Sequence, residues 1–154
     1  MFLTKNKRMS YGYGTDSGWC PESSEYIKST VMDWEADEFE VALFLAGREV
    51  STPGYSRQPL IQRYQWAESD GEHFDAADAC FGIDVSIIAD RAIIYHLRGR
   101  DKTPLMRFNF ARAQSWNGAF IIAWGERGIF IQDEKGLRFI SGAGSDAKAT
   151  EKTK

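Results

Sequence analysis

The sequence predicts an all-β protein, an antiparallel β-sandwich or jelly roll with an extended N-terminal arm and a polar C-terminal tail. Three observations predict it. Short segments alternate apolar and polar residues with the period of two that strands require. Gly, Asn and Asp clusters punctuate them at roughly 8 to 12 residue spacing. Ten Phe, six Tyr and five Trp in a chain of 154 residues supply enough large side chains for one core.

Residues 1–30 alternate glycine, serine and aromatics without a sustained period and are predicted to form an arm. Within it, Pro21 followed by Glu22 and Glu25 suits the opening of one or two helical turns. The arm's rings Tyr11, Tyr13, Trp19 and Tyr26 are the candidate interface residues. The body is expected over residues 31–140. In its first strand Phe39, Val41, Leu43 and Leu45 share an apolar face, and Gly47 ends the run. A half-buried strand is expected over Leu60 to Trp66, and another with Ile83, Val85 and Ile87 on one face, after a bulge or close approach at Gly82.

"RAIIYHL" has the β-branched and aromatic content of a buried strand, and "RGRDKTP" has that of a loop. Met106, Phe108 and Phe110 then face inward. Asn117-Gly118 has the composition of a two-residue hairpin turn before Phe120, Ile122 and Trp124. Gly125 and Gly128 bracket a second reversal, and Glu134-Lys135-Gly136 makes a third. The tail, residues 141–154, is small, polar and charged, and is expected to be disordered in a free monomer.

The net charge of −3 and a pI near 5.4 argue against a sequence-independent grip on nucleic acid. Lys5, Lys7 and Arg8 are too small a cluster to reverse that. The longest apolar run, Val41 to Ala46, is far shorter than the ~20 residues of a membrane helix, and "MFLTKNKRMS" lacks the apolar core of a signal peptide. A soluble protein folding in a cytoplasm is expected. Cys20 and Cys80 form no CxxC pair, so each is read as a small buried apolar group; a bridge stays open for a protein maturing outside the cell.

Residues for chemistry are few. His96 ends an apolar strand and reads as packed or satisfied at the surface, while His73, in the acidic loop "SDGEHFD", reads as solvated. Asp70, Glu72, Asp75 and Asp78 offer oxygen ligands for calcium but depart from EF-hand spacing. There is no nucleophile elbow, phosphate-binding loop or His-Glu-x-x-His motif. No enzyme activity, cofactor or metal is predicted. Of the tryptophans, Trp66 and Trp124 fall on strand periodicity and are expected in the core. Trp19 and Trp116 sit beside turn residues, so a carbohydrate-binding module remains an alternative.

The stretch "EVALFLAGREVSTPGYSRQPL" carries a further signal. With Val41 to Phe44 as its strand, followed by Gly54, Tyr55, Ser56, Arg57 and Gln58, it resembles the N-terminal signature of small β-rich accessory structural proteins of tailed bacteriophages, in which V-A-L-F precedes a loop and then G-Y-A-R-Q. "DRAIIYHLRGRDKTPLMRFNF" is similar to their strand, loop and strand, and "WNGAFIIAWGERGIF" to their closing hairpin. The resemblance spans roughly residues 33 to 131; the longer arm and charged tail depart from it. It implies a virion component synthesised in the host cytoplasm, a capsid decoration (cement) or accessory protein, with a tail or tail-fibre component as the alternative. Its partners would be other virion proteins, with homo-oligomerisation and no nucleic acid or membrane, and the arm, residues 1–30, and the tail, residues 141–154, are expected to make the attachment to neighbouring subunits. Physically, Gly54, Tyr55 and Arg57 read as a structural corner: the glycine relaxes the backbone, the tyrosine buries its ring while its hydroxyl finds a partner, and the guanidinium reaches a carboxylate or loop carbonyl.

Overall fold

In the computed structural model, residues 18–125, 128–133, 136–139 and 146–149 are described. The protein is all-β, and every described strand pair is antiparallel. The largest sheet is centred on β8 (Ile88–Arg98) and β9 (Asp101–Gln114), with β1 (Gly18–Trp19) outside β9 and β2 (Glu38–Leu45) outside β8; β3 (Arg48–Glu49) and β4 (Gln58–Pro59) both pair with β2. A four-stranded sheet runs β12 (Gly136–Phe139), β11 (Phe130–Asp133), β6 (Gly71–Asp75), β5 (Tyr64–Glu68). The third sheet orders β13 (Asp146–Ala149), β10 (Phe120–Ala123) and β7 (Ala79–Cys80).

The core forms where these sheets meet. Val41 and Leu43 of β2, Ile94 of β8 and Phe108 of β9 are fully buried, as period-two alternation requires. Trp34 joins two sheets: its ring lies 4.8 Å from Phe39 of the large sheet and 5.3 Å from Phe130 of the four-stranded one, and its indole N–H donates to the Asp75 carbonyl at 3.0 Å. Phe81 connects the third sheet, stacking on Tyr55 at 6.0 Å and meeting Phe120 edge-on at 6.4 Å.

Pro21 opens a short 3-10 turn that runs into α1 (Ser24–Ser29), as its acidic, proline-led sequence predicts. Met106, Phe108 and Phe110 are buried, as expected. Other expectations are corrected. The strand expected from Leu60 begins only at Tyr64, because Gln62 adopts φ +55° and the Arg63 guanidinium is drawn onto the carbonyls of Trp34, Leu60 and Asp37. No strand carries Ile83, Val85 and Ile87 together; Val85 makes an isolated bridge to Gly118, and Ile83 is 76% exposed. The close approach at Gly82 is real, since a Cβ there would lie 2.7 Å from Val85 Cγ1.

"RGRDKTP" is mostly strand, for only Gly99 and Arg100 turn and Asp101 already pairs with Arg98. Pro104 is accommodated by a register shift between Ile94 and Tyr95 that leaves Leu105 as the extra residue. The freed Leu105 carbonyl accepts from the Cys20 N–H at 2.8 Å. Asn117-Gly118 is no hairpin turn. Asn117 has φ +51°, yet β9 and β10 lie in different sheets. Two-residue hairpins lie elsewhere: at Ala46-Gly47, with φ +51° and +82°, between β2 and β3, at Ser69-Asp70 between β5 and β6, and at Gly99-Arg100 between β8 and β9.

Gly125 and Gly128 bridge across a reversal as expected, and Asp133 pairs with Gly136 across the third; residues 126–127 and 134–135 lie outside the described residues. In the tail, Asp146 to Ala149 pair with Ala123 to Phe120, so that part is not free. Backbone pairing asks little of side chains, which is why its polar composition did not reveal it. From Gly18 onward the predicted arm is likewise joined to the body, with Trp19 paired to Met106.

Candidate functional site

The corner is built by the loop after β3. Gly54 holds φ +88°, and a Cβ on it would approach Val85 Cγ1 to 3.2 Å. That conformation turns Tyr55 inward, where its hydroxyl donates to Glu49 Oε2 at 2.6 Å and accepts the Leu43 N–H at 3.0 Å. Arg57 clasps Glu49 with two parallel bonds of 2.9 Å and reaches Glu40 with a third of 2.9 Å. Its guanidinium lies 4.2 Å above the centroid of the Tyr95 ring. Lys102 adds a second cation 3.3 Å from Glu40.

Charge and burial pull against each other here. The Arg57 hydrogen bonds hold the Glu49 carboxyl below its ordinary range against a partial burial that would raise it. Burial, with the Glu49 carboxylate beside it, pushes the Tyr55 phenol up, and the two glutamates raise Arg57 despite partial burial. The corner therefore stays ionised as a fixed cross-link. Gln58 pairs with Val41 through β4 and β2, so the two halves of the quoted motif meet in one unit.

A second polar cluster fastens α1 to the large sheet. Tyr26 Oη lies 2.7 Å from His96 Nδ1, and His96 Nε2 lies 3.0 Å from Asp37 Oδ2. A proton on Nε2 lets the ring donate to Asp37 and accept from the tyrosine. The Asp33 N–H donates to Asp37, and that bond, with His96 also contributing, keeps the Asp37 carboxyl low. His96 is thus packed and satisfied.

His73, expected to be solvated, is fully buried in β6. Its ring stacks on Trp66 at 4.9 Å, and Nε2 lies 2.7 Å from Asp70 and 3.7 Å from Glu68. These three are the only group among the described residues whose atoms converge well enough to hold a metal ion. Of the oxygen donors that the sequence offers for calcium, only Asp70 belongs to it: Asp75 is bound to Tyr64 and to the Ala76 N–H, and Asp78 to the Trp124 N–H.

Between α1, the segment after it and the faces of two sheets lies an apolar groove of about 510 Å³. Trp34, Phe39, Phe74 and Phe130 form its floor, Trp19 and Met106 one wall, and Ile27 and Met32 another. Lys28 and Val31 stand at its rim, Val31 being 89% exposed. Composition gave no hint of the groove, because Trp34 is embedded in an acidic stretch that reads as a loop.

Of the candidate interface rings, Tyr11 and Tyr13 lie outside the described residues. Trp19 meets Phe130 edge-on at 5.5 Å and Tyr26 binds His96, so both present only part of their surface to solvent. Trp124 is in the core as expected. Trp66 is only half-buried, and Trp116 is 56% exposed. Both cysteines are free thiols. Cys20 is buried as expected and its thiol is pushed up to about 11, chiefly by burial; Cys80 is exposed, contrary to its expected packing. No helix among the described residues is long and apolar enough to cross a membrane. Compared with family models, with curated proteins and with solved structures, the chain matches none.

Proposed function

We propose that the chain is a non-enzymatic structural component of a tailed-phage virion, a capsid decoration or accessory protein that binds neighbouring virion subunits. One observation carries the reading beyond the resemblance. The V-A-L-F strand and the Gly-Tyr-Ser-Arg-Gln segment are locked together by Tyr55 on the Leu43 N–H and by Arg57 on Glu40 and Glu49. A motif whose parts bind each other is a unit of architecture. Its charged groups are spent on holding the body rigid, and a rigid body suits repeated attachment to identical sites. Partners would be capsid or tail subunits and further copies of this chain, with no nucleic acid or membrane.

Gold-labelled antibody against the chain, applied to particles and viewed by electron microscopy, tests this. Label over the head supports decoration, label at the tail supports the tail-component alternative, and unlabelled particles overturn both. A carbohydrate-binding reading is favoured by one feature: Tyr64, 49% exposed, stacks 5.5 Å from Trp66 on β5, and Trp116 is open to solvent. It predicts retention on a glycan array that is lost on Tyr64→Ala or Trp116→Ala; no retention of the parent chain rules it out.

A further inference from the structure

We infer that the apolar groove beneath α1 is a binding site for a small amphipathic anion, a free carboxylate with a single apolar chain. The inference is independent of the virion reading. Its size, about 510 Å³, lies within the roughly 300–1,000 Å³ of small-molecule sites, which are lined by apolar and aromatic groups with few polar ones. The floor of Trp34, Phe39, Phe74 and Phe130 is one aromatic cluster of the core, its ring centroids 4.5 to 6.0 Å apart, which gives the groove a packed base.

Charge selects the head group. Among the described residues Lys28 is the only charged one lining the groove, no Asp or Glu lines it, and the Lys28 ammonium forms no ion pair or hydrogen bond with any of them. It sits in the last turn of α1, and Thr30, which carries a hydroxyl, lines the same groove. One ammonium and one hydroxyl match a carboxylate. A phosphate dianion would call for the several donors, or the guanidinium fork, that this rim lacks. The apolar remainder would lie along Ile27 and Met32 toward Trp34, covering the partly exposed side chains of Ile27 and Met32. Val31, exposed at the rim, would pack against the first methylenes.

Decanoate and its uncharged analogue decanol are suitable probes, titrated calorimetrically into the full chain well below the micelle concentration of decanoate. The expected result is saturable binding of one decanoate per chain. Lys28→Met should weaken decanoate about three- to tenfold, the range of a partly exposed ion pair, and leave decanol unchanged. Met32→Trp should fill the groove and abolish both; if that variant does not fold by circular dichroism, Thr30→Phe serves the same purpose. Absence of saturable decanoate binding overturns the inference, as does binding that neither Lys28→Met nor a folded groove-filling variant alters. Lys28-dependent sedimentation with phosphatidylglycerol vesicles, without decanoate binding, also overturns it by assigning the rim to a membrane surface.

Discussion

Arg57 illustrates how a single side chain can organise a loop. It is one-quarter exposed, Glu40 is 13% and Glu49 is 31%, so the ion pairs sit where water screens them only in part. Glu49→Gln keeps the shape, removes the charge and leaves Tyr55 and Arg57 with weaker acceptors. The expected loss is about 1–2 kcal/mol by urea denaturation at pH 7, below the value of a fully buried pair because of that exposure. The pH dependence has a definite sign. Folding lowers the Glu49 pKa, so its contribution is complete above the unfolded glutamate value of about 4.3 and is lost as pH falls through the folded value. The gap between parent and variant should therefore be constant above about pH 5 and close in acid. The corner was legible because Gly54, Tyr55 and Arg57 are residues with narrow uses. Their partners were not, since Glu40 and Glu49 look like ordinary outward positions of strands and acquire meaning only once the loop folds back. His73 failed for the reverse reason: its neighbours in sequence are acidic, but β5 and β11 flank β6 and bury it.

Among elements, the turns decide the topology, and they were the least legible. Asn117-Gly118 has the hairpin composition yet links two sheets, while Ala46-Gly47 makes a two-residue hairpin with a residue ill-suited to φ +51°. Ala46→Asn should relieve that strain and stabilise the protein by about 0.5–1 kcal/mol, read as a rise in the thermal midpoint. Gly128 is the opposite case. It holds φ +97°, and a Cβ would stand 2.6 Å from the Phe74 carbonyl oxygen, a backbone atom that cannot move aside without disturbing β6. Gly128→Ala should cost about 3 kcal/mol, against about 1 kcal/mol for Gly47→Ala, where the space is open. Long strands were readable throughout, because Phe39 to Leu45 and Ala92 to Tyr95 keep their character over many residues. Arg63 shows the limit: nothing local announces that its guanidinium will gather three carbonyls and end an alternating run.

At the scale of the molecule, cohesion between sheets runs through few aromatic residues. Trp34 lies 6.0 Å edge-on from Phe74, contacts Phe39 and Phe130, and spends its indole N–H on Asp75. Trp34→Ala should cost about 3–5 kcal/mol, a large part of the roughly 5–15 kcal/mol that holds a domain together. Because Trp34 is shared, far-ultraviolet circular dichroism and intrinsic fluorescence should report coincident transitions in the parent chain. The all-β class was legible from alternation; the division into three sheets was not, since it depends on strand partners far apart in sequence, such as β6 with β11.

The two thiols differ in a way that has a practical use. Cys20 is sealed beneath β9 and resists ionisation, whereas Cys80 faces solvent at the end of β7. A maleimide dye at neutral pH should therefore couple at a single position without any engineered substitution. The native chain carries its own handle for fluorescence anisotropy or distance measurements on whatever assembly it joins.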